Sequence, residues 1–132
     1  MKILVVDDDE ATREMIKSFL EPYGTCDTAE DGDQCLSKVR EALRDGKKYD
    51  LILLDIVMPN LDGHQALRWI REVEQDAGLM IGDGAKIIMT TMRDGSKDIM
   101  QAFKEACDSY VLKPVRKDAL LKEMKKLGLV PS

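Results

Sequence analysis

The chain is predicted to fold as an α/β domain in which a parallel sheet is covered by helices on both faces, and three observations lead there. Apolar runs and helix-period segments alternate along the whole length, the pattern of repeated βα units. Three of the runs are almost entirely apolar, as strands buried on both faces must be. The runs also end on residues loaded with chemistry, Asp7, Asp8 and Asp55 above all, and open parallel sheets present their reactive groups at the carboxyl ends of the strands.

Five strands are expected, over residues 2–6, 25–29, 50–54, 86–90 and 109–112. The second, Thr25-Cys26-Asp27-Thr28-Ala29, is the more polar and is placed at an edge. After the first strand Ala11, Met15, Ile16, Phe19 and Leu20 recur at helical spacing, and Pro22 with Gly24 supplies the stop. A second helix over 32–44 carries Cys35, Leu36, Val39 and Leu43 on one face and ends at Asp45-Gly46. A third over 64–75 carries Leu67, Trp69, Ile70 and Val73. A fourth is expected near 97–106, with Ile99, Met100, Phe103 and Ala106, and a fifth over 117–127, with Leu120, Leu121, Met124 and Leu127. The stretch 76–84, with three glycines and no period, reads as a long surface connection.

The 132 residues suit one domain with one core, residues 1–132, large enough to bury roughly two thirds of the unfolded surface. No apolar stretch approaches the ~20 residues needed to cross a bilayer, and because the sequence opens straight into a strand-like run no secretory leader is expected. The cytoplasm is therefore the expected compartment. Cys26, Cys35 and Cys107 lack metal-ligand spacing and are expected as reduced thiols in apolar positions. A formal net charge of −5 argues against nucleic acid as the main partner.

If the first and third strands are neighbours, Asp7, Asp8 and Asp55 meet in one crevice, where their mutual repulsion calls for a cation. Ligands that are all oxygen suit Mg²⁺, or Mn²⁺, better than zinc. Mg²⁺ held by few carboxylates commonly works beside a phosphate, so the crevice points to phosphoryl chemistry. Thr90-Thr91 and Lys113-Pro114 close two further strands at the same edge. A hydroxyl and an ammonium there would stabilise phosphoryl oxygens once Asp55 attacked a phosphodonor. Asp9 and Glu10 are assigned to the N-terminus of the first helix. His64, at the start of the third helix, is expected as a surface or capping residue.

Val5-Val6-Asp7-Asp8-Asp9, the run from Leu54-Asp55 to Asp62-Gly63, Thr91 and Tyr110-Val111-Leu112-Lys113-Pro114 together resemble the receiver domain of two-component response regulators, the CheY-like family. The resemblance spans essentially the whole chain. It implies a doubly wound, flavodoxin-like sheet in the order 2-1-3-4-5 with five helices. It implies that Asp55 accepts a phosphoryl group from a sensor histidine kinase or phosphotransfer protein. Asp8 and Asp55 would ligate Mg²⁺ directly, Asp7 mainly through water, and the backbone carbonyl of Val57 would add a ligand. Thr91 rather than Thr90 fits the family's spacing to Lys113; these two would bind phosphoryl oxygens. Tyr110 matches the aromatic switch position, and the Lys113-Pro114 peptide would be cis. The domain would be a switch rather than an enzyme, with transfer and hydrolysis of its own phosphate incidental. A downstream protein would bind the face of the fourth helix, fifth strand and fifth helix, the domain acting as a monomer or as a phosphorylation-dependent dimer. The chain stops soon after the fifth helix without a linker, which favours a stand-alone regulator over a receiver cut from a longer one with an output domain.

Two departures bear on rate. Met92 follows the switch threonine where the family usually has a small residue, and Val57 lacks a polar side chain to position water; both lead us to expect slow self-dephosphorylation. Competing readings fare worse. A flavin domain of this architecture needs a phosphate loop after the first strand, where Asp7-Asp8-Asp9 would repel phosphate. A haloacid-dehalogenase-type phosphatase would require a second Asp where Val57 stands.

Overall fold

The protein was analysed as a computed structural model, which describes residues 1–57, 63–80, 82–92, 97 and 107–131. Five strands, β1 (Lys2–Val6), β2 (Thr25–Ala29), β3 (Leu51–Asp55), β4 (Lys86–Thr91) and β5 (Ser109–Leu112), form one parallel sheet in the order β2-β1-β3-β4-β5. Among the described residues four α-helices accompany it: α1 (Glu10–Leu20), α2 (Gly32–Arg44), α3 (Gly63–Asp76) and α4 (Lys117–Lys126). A 3₁₀ turn, Glu21–Tyr23, carries Pro22 after α1. The helix expected over 97–106 lies outside the described residues apart from Lys97, and so does the turn over 58–62.

Side-chain alternation along the strands builds two cores. Leu4, Val6, Ile52, Leu54, Ile87 and Met89 point to one face and pack with Cys35, Leu36 and Val39 of α2 and Ala66, Leu67 and Ile70 of α3. Ile3, Val5, Leu51, Leu53 and Ile88 point to the other and pack with Ile16 and Leu20 of α1 and Leu120 and Met124 of α4. Residues in β1, β3 and β4 thus find apolar partners on either side, which is why those strands read as unbroken apolar runs. Each such side chain, fully buried, contributes about 1.5–3 kcal/mol.

Helix limits follow from local chemistry. Asp9 caps α1, its Oδ2 accepting from Thr12 N at 3.1 Å and Thr12 Oγ1 at 2.5 Å. Asp31 caps α2 by accepting from Gln34 N at 2.9 Å, while Gln34 Oε1 accepts from Glu30 N at 2.9 Å, a reciprocal start signal. At the other end Gly46 adopts φ +70 and lets Lys47 N return to Ala42 O at 2.9 Å.

Register is what assembles the site. Val6 pairs with Ala29 on one side and Leu54 on the other, Asp55 with Thr90, and Thr91 with Leu112. Because all pairs are parallel, Asp7, Asp55, Thr91 and Lys113 emerge together at the carboxyl edge. The third strand ends one residue later than expected, so that Asp55 is its last member, and the third helix begins at Gly63 rather than His64. The connection after α3 is also tied down: Glu74 Oε2 accepts from Ala85 N at 2.7 Å, and Arg71 Nη1 donates to Ala85 O at 2.9 Å.

Candidate functional site

Asp7 lies immediately beyond β1 with 1% of its surface exposed, Asp55 ends β3 with 2%, and Asp8 faces solvent. Lys113, directly after β5, places Nζ 3.0 Å from Asp7 Oδ2 and 3.0 Å from Asp55 Oδ2. Each acid's second oxygen is held by the backbone two residues on: Asp9 N donates to Asp7 Oδ1 at 2.9 Å, and Val57 N donates to Asp55 Oδ1 at 3.1 Å. Both carboxylates are therefore oriented, and one ammonium serves two of them.

Burial pushes the Asp55 carboxyl up to about 6; the charge of Asp7 adds to this, while Lys113 and the Val57 N–H pull it back. Lys113 feels the reverse balance: burial draws it down, but its bonds to Asp55 and Asp7 carry it above the ordinary lysine value. Oxygens of Asp7, Asp8 and Asp55 lie within 4.8 Å of one another. With Lys113 counted, three carboxylates leave two uncancelled negative charges, the amount one divalent cation neutralises. The donor set is entirely oxygen and one ligand stays open to water, which fits Mg²⁺ or Mn²⁺ rather than zinc.

Thr91 is buried at the end of β4, one residue past the Asp55–Thr90 pair, and its hydroxyl donates to Met92 O at 3.4 Å. Lys113 N donates to Thr91 O at 2.6 Å, which locks the two strand ends together. Thr90 is buried, and its Oγ1 finds no hydrogen-bond partner among the described residues. Val57 and Met92 are 66% and 62% exposed. Tyr110 stands on the outward-facing side of β5 and is 37% exposed. The Lys113-Pro114 peptide is cis, as the resemblance implies.

Two residues differ from expectation. His64 is buried rather than exposed. The reason is Gly63, where even a Cβ would stand 2.3 Å from Asp55 O and 2.6 Å from Ile56 Cα. Without a side chain at 63, the first turn of α3 presses against the end of β3 and takes His64 inward with it. Arg13 was not singled out by the sequence, yet it is buried and donates from Nη1 to Asp7 O at 2.8 Å. A signal existed: Arg13 stands three and seven residues before Ile16 and Leu20, on the apolar stripe of α1.

A doubly wound parallel sheet with an acidic, lysine-bridged crevice at its carboxyl edge defines a class of single-site α/β domains built around a strand-end aspartate. Comparison narrows the class to one family. Residues 3–125 match the model of the response regulator receiver domain, and the chain belongs to that family. It is 38% identical to the transcriptional regulatory protein ResD of Bacillus subtilis over 114 residues, 86% of this chain and 42% of that protein. It is 32% identical to the response regulator MprA of Mycobacterium avium over 128 residues, 96% of this chain and 50% of that protein. The chain thus spans half or less of the length of these curated relatives. Among solved structures, the chemotaxis protein CheY4 of Vibrio cholerae superposes with a TM-score of 0.79 at 25% identity, covering 95% of this chain and 96% of that one. Among the described residues, no helix is long and apolar enough to cross a membrane.

Proposed function

We propose that the chain is a phosphoacceptor switch in which Asp55 carries the phosphoryl group. An Oδ of Asp55 attacks the phosphorus of a phosphohistidine on a sensor kinase or phosphotransfer protein. The P–O bond forms, the P–N bond breaks, and the imidazole keeps the electron pair. Later attack by water releases inorganic phosphate and restores the carboxylate, so the protein ends each cycle unchanged and acts as a signal carrier rather than an enzyme on a separate substrate. Asp8 and Asp55 would hold Mg²⁺ directly, Asp7 mainly through water, and the Val57 carbonyl would complete the protein's share. When bound, the ion supplies positive charge at the phosphoryl oxygens. Lys113 would pair with one phosphoryl oxygen and Thr91 would donate to another.

The observation that carries this reading is the single ammonium of Lys113 shared by Asp7 and Asp55 beside Asp8. A buried acid left partly uncompensated favours any event that brings in a cation or re-partners the lysine. Phosphorylation adds about −1.5 to −2 charge and gives Lys113 and Thr91 a new partner, the differential contact a two-state shift requires. The altered state would expose a changed surface to a downstream protein, Tyr110 of β5 included, in a cytoplasmic setting. The test is incubation with acetyl phosphate and Mg²⁺ followed by intact mass. The wild type should gain one phosphoryl group and Asp55→Asn none; equal labelling of both, or of neither, overturns the reading.

The proposed switch acts on a separate partner protein. The alternative, a receiver joined to an output domain in one longer regulator, is favoured by the relatives' length, of which the chain spans 42% and 50%. The mass of the native gene product separates the two.

A further inference from the structure

Arg13 is 8% exposed on α1, and its guanidinium is aimed not at a carboxylate of the crevice but at a backbone carbonyl beneath it. That carbonyl, of Asp7, lies just past the last ladder pairs of β1, which end at Val6. Nη1 reaches it at 2.8 Å in a buried position. The peptide so held is the one that joins Asp7 to Asp8. Turning it changes ψ of the first residue and φ of the second, and so swings the two carboxylates relative to each other.

Neighbouring bonds fix the flanking peptides, which leaves the Arg13 bond as the one that grips the Asp7-Asp8 peptide itself among the bonds described. Asp7 N donates to Ala29 O at 3.2 Å, Asp9 N donates to Asp7 Oδ1 at 2.9 Å, and Arg13 N donates to Asp9 O at 3.0 Å. At its outer end the guanidinium lies 3.8 Å from Glu30 Oε1, whose side chain is 64% exposed. An exposed contact of that length contributes little. The inner bond is what the burial of Arg13 serves.

From this placement we infer that Arg13 is a positioning residue for the divalent-cation site: it holds the Asp7-Asp8 peptide so that both acids meet one ion. The inference rests on the reading that Asp7, Asp8 and Asp55 bind Mg²⁺. Two effects of Arg13 oppose each other. Its positive charge near the acids weakens cation binding, whereas its grip on the peptide strengthens it. The ion itself distinguishes them, because Mg²⁺ demands near-octahedral geometry at about 2.0–2.1 Å while Ca²⁺ accepts looser arrangements at about 2.3–2.6 Å. Outer partners of ligands typically govern affinity by about 10–100-fold.

The experiment is calorimetric titration of the intact protein with MgCl₂ and, separately, CaCl₂, for wild type, Arg13→Met and Arg13→Lys, with urea unfolding in EDTA as the control for folding. Arg13→Met should weaken Mg²⁺ binding at least about fivefold and Ca²⁺ binding less than about twofold, and Arg13→Lys, which keeps the opposing charge without the planar fork, should weaken Mg²⁺ binding at least as much, again more than Ca²⁺ binding. Tighter or unchanged Mg²⁺ binding by Arg13→Met, or equal losses for the two ions, overturns the inference. Should Arg13→Met fail to fold, Arg13→Lys decides by the same Mg²⁺-to-Ca²⁺ ratio. A wild type that binds no Mg²⁺ defeats the underlying metal assignment instead, so the two failures are distinguishable.

Discussion

Replacing Asp55 by Asn should stabilise the metal-free protein, although it removes the proposed phosphoacceptor. In the folded chain the carboxyl titrates at about 6, against an ordinary 3.8. Below about pH 4 it is protonated in both folded and unfolded chains and contributes nothing. Between about pH 4 and 6 the folded chain keeps its proton while the unfolded chain has lost it, so stability falls as pH rises. Above that range both are ionised and the full penalty of a buried carboxylate is present. At about 1.4 kcal/mol per tenfold change in proton affinity, the displacement is worth at most about 3 kcal/mol. Asn gives up the charged bond from Lys113 at 3.0 Å but leaves that lysine on Asp7 at the same distance. We therefore expect a net gain of about 1–2 kcal/mol at pH 7.5, vanishing near pH 4. Urea unfolding in EDTA, for wild type and Asp55→Asn from pH 4 to 8, measures the difference curve. It should rise through pH 4–6 and then run flat. A variant less stable at pH 7.5, or a difference indifferent to pH, refutes the reasoning. Added Mg²⁺ should narrow the gap, because a ligand that binds the folded wild type stabilises it by mass action.

Val57→Asn combined with Met92→Ala places a polar group and a small one at the crevice rim, and should shorten the life of phospho-Asp55, followed as loss of label; an unchanged lifetime rejects our account of slow hydrolysis. Lys113→Met leaves Asp7 and Asp55 facing each other without their shared cation, so urea unfolding in EDTA should show a loss of about 2–3 kcal/mol. Titration of the same variant should show tighter Mg²⁺ binding, because the lysine no longer competes with the ion. Gly63→Ala puts a Cβ 2.3 Å from Asp55 O, backbone that cannot swing aside, and should destabilise by about 1–3 kcal/mol and slow phosphorylation by acetyl phosphate. A variant as stable and as reactive as wild type would show that α3 shifts freely.

Legibility in the sequence followed the range of the interactions. Strands β1 and β4 were visible because their central side chains pack against apolar residues on both faces of the sheet, and α2 was bounded to the residue because Asp31 and Gly46 act within one turn. The start of β3 was missed by one residue for a physical reason. Asp50 makes ladder-like bonds, Asp50 N to Lys2 O at 2.8 Å and Lys86 N to Asp50 O at 2.9 Å, yet lies outside the strand. The acids and Lys113 were legible because their chemistry sits at strand ends, where parallel register brings residues 7, 55 and 113 together. The burial of His64, the role of Arg13 and the anchoring after α3 were not, since each depends on a partner chosen by tertiary contact. Glu74 accepts from Ala85 eleven residues on, Arg71 reaches Asp108 at 3.1 Å across 37 residues, and Gly84 leaves the room that the Glu74 carboxylate fills.

The same geometry sets how a charge placed on Asp55 would be felt elsewhere. Lys113 is bonded by its side chain to Asp55 and by its backbone to Thr91 O at 2.6 Å, so the ammonium and the end of β4 cannot move independently. Leu112 pairs with Thr91 and Tyr110 with Met89 on the same short ladder, and β5 is only four residues long. We propose that a pull on either strand end would pass along this ladder to Tyr110, which lies on the exposed side of an edge strand. By linkage, a partner that prefers the shifted ribbon must also favour the phosphorylated state by the same factor. A Tyr110→Trp variant, read against the constant signal of Trp69, should change its emission when beryllofluoride and Mg²⁺ are added, and should not do so once Asp55 is also Asn. An unchanged spectrum in the first protein would break the proposed link between the crevice and the outer face of β5 while leaving phosphorylation of Asp55 intact.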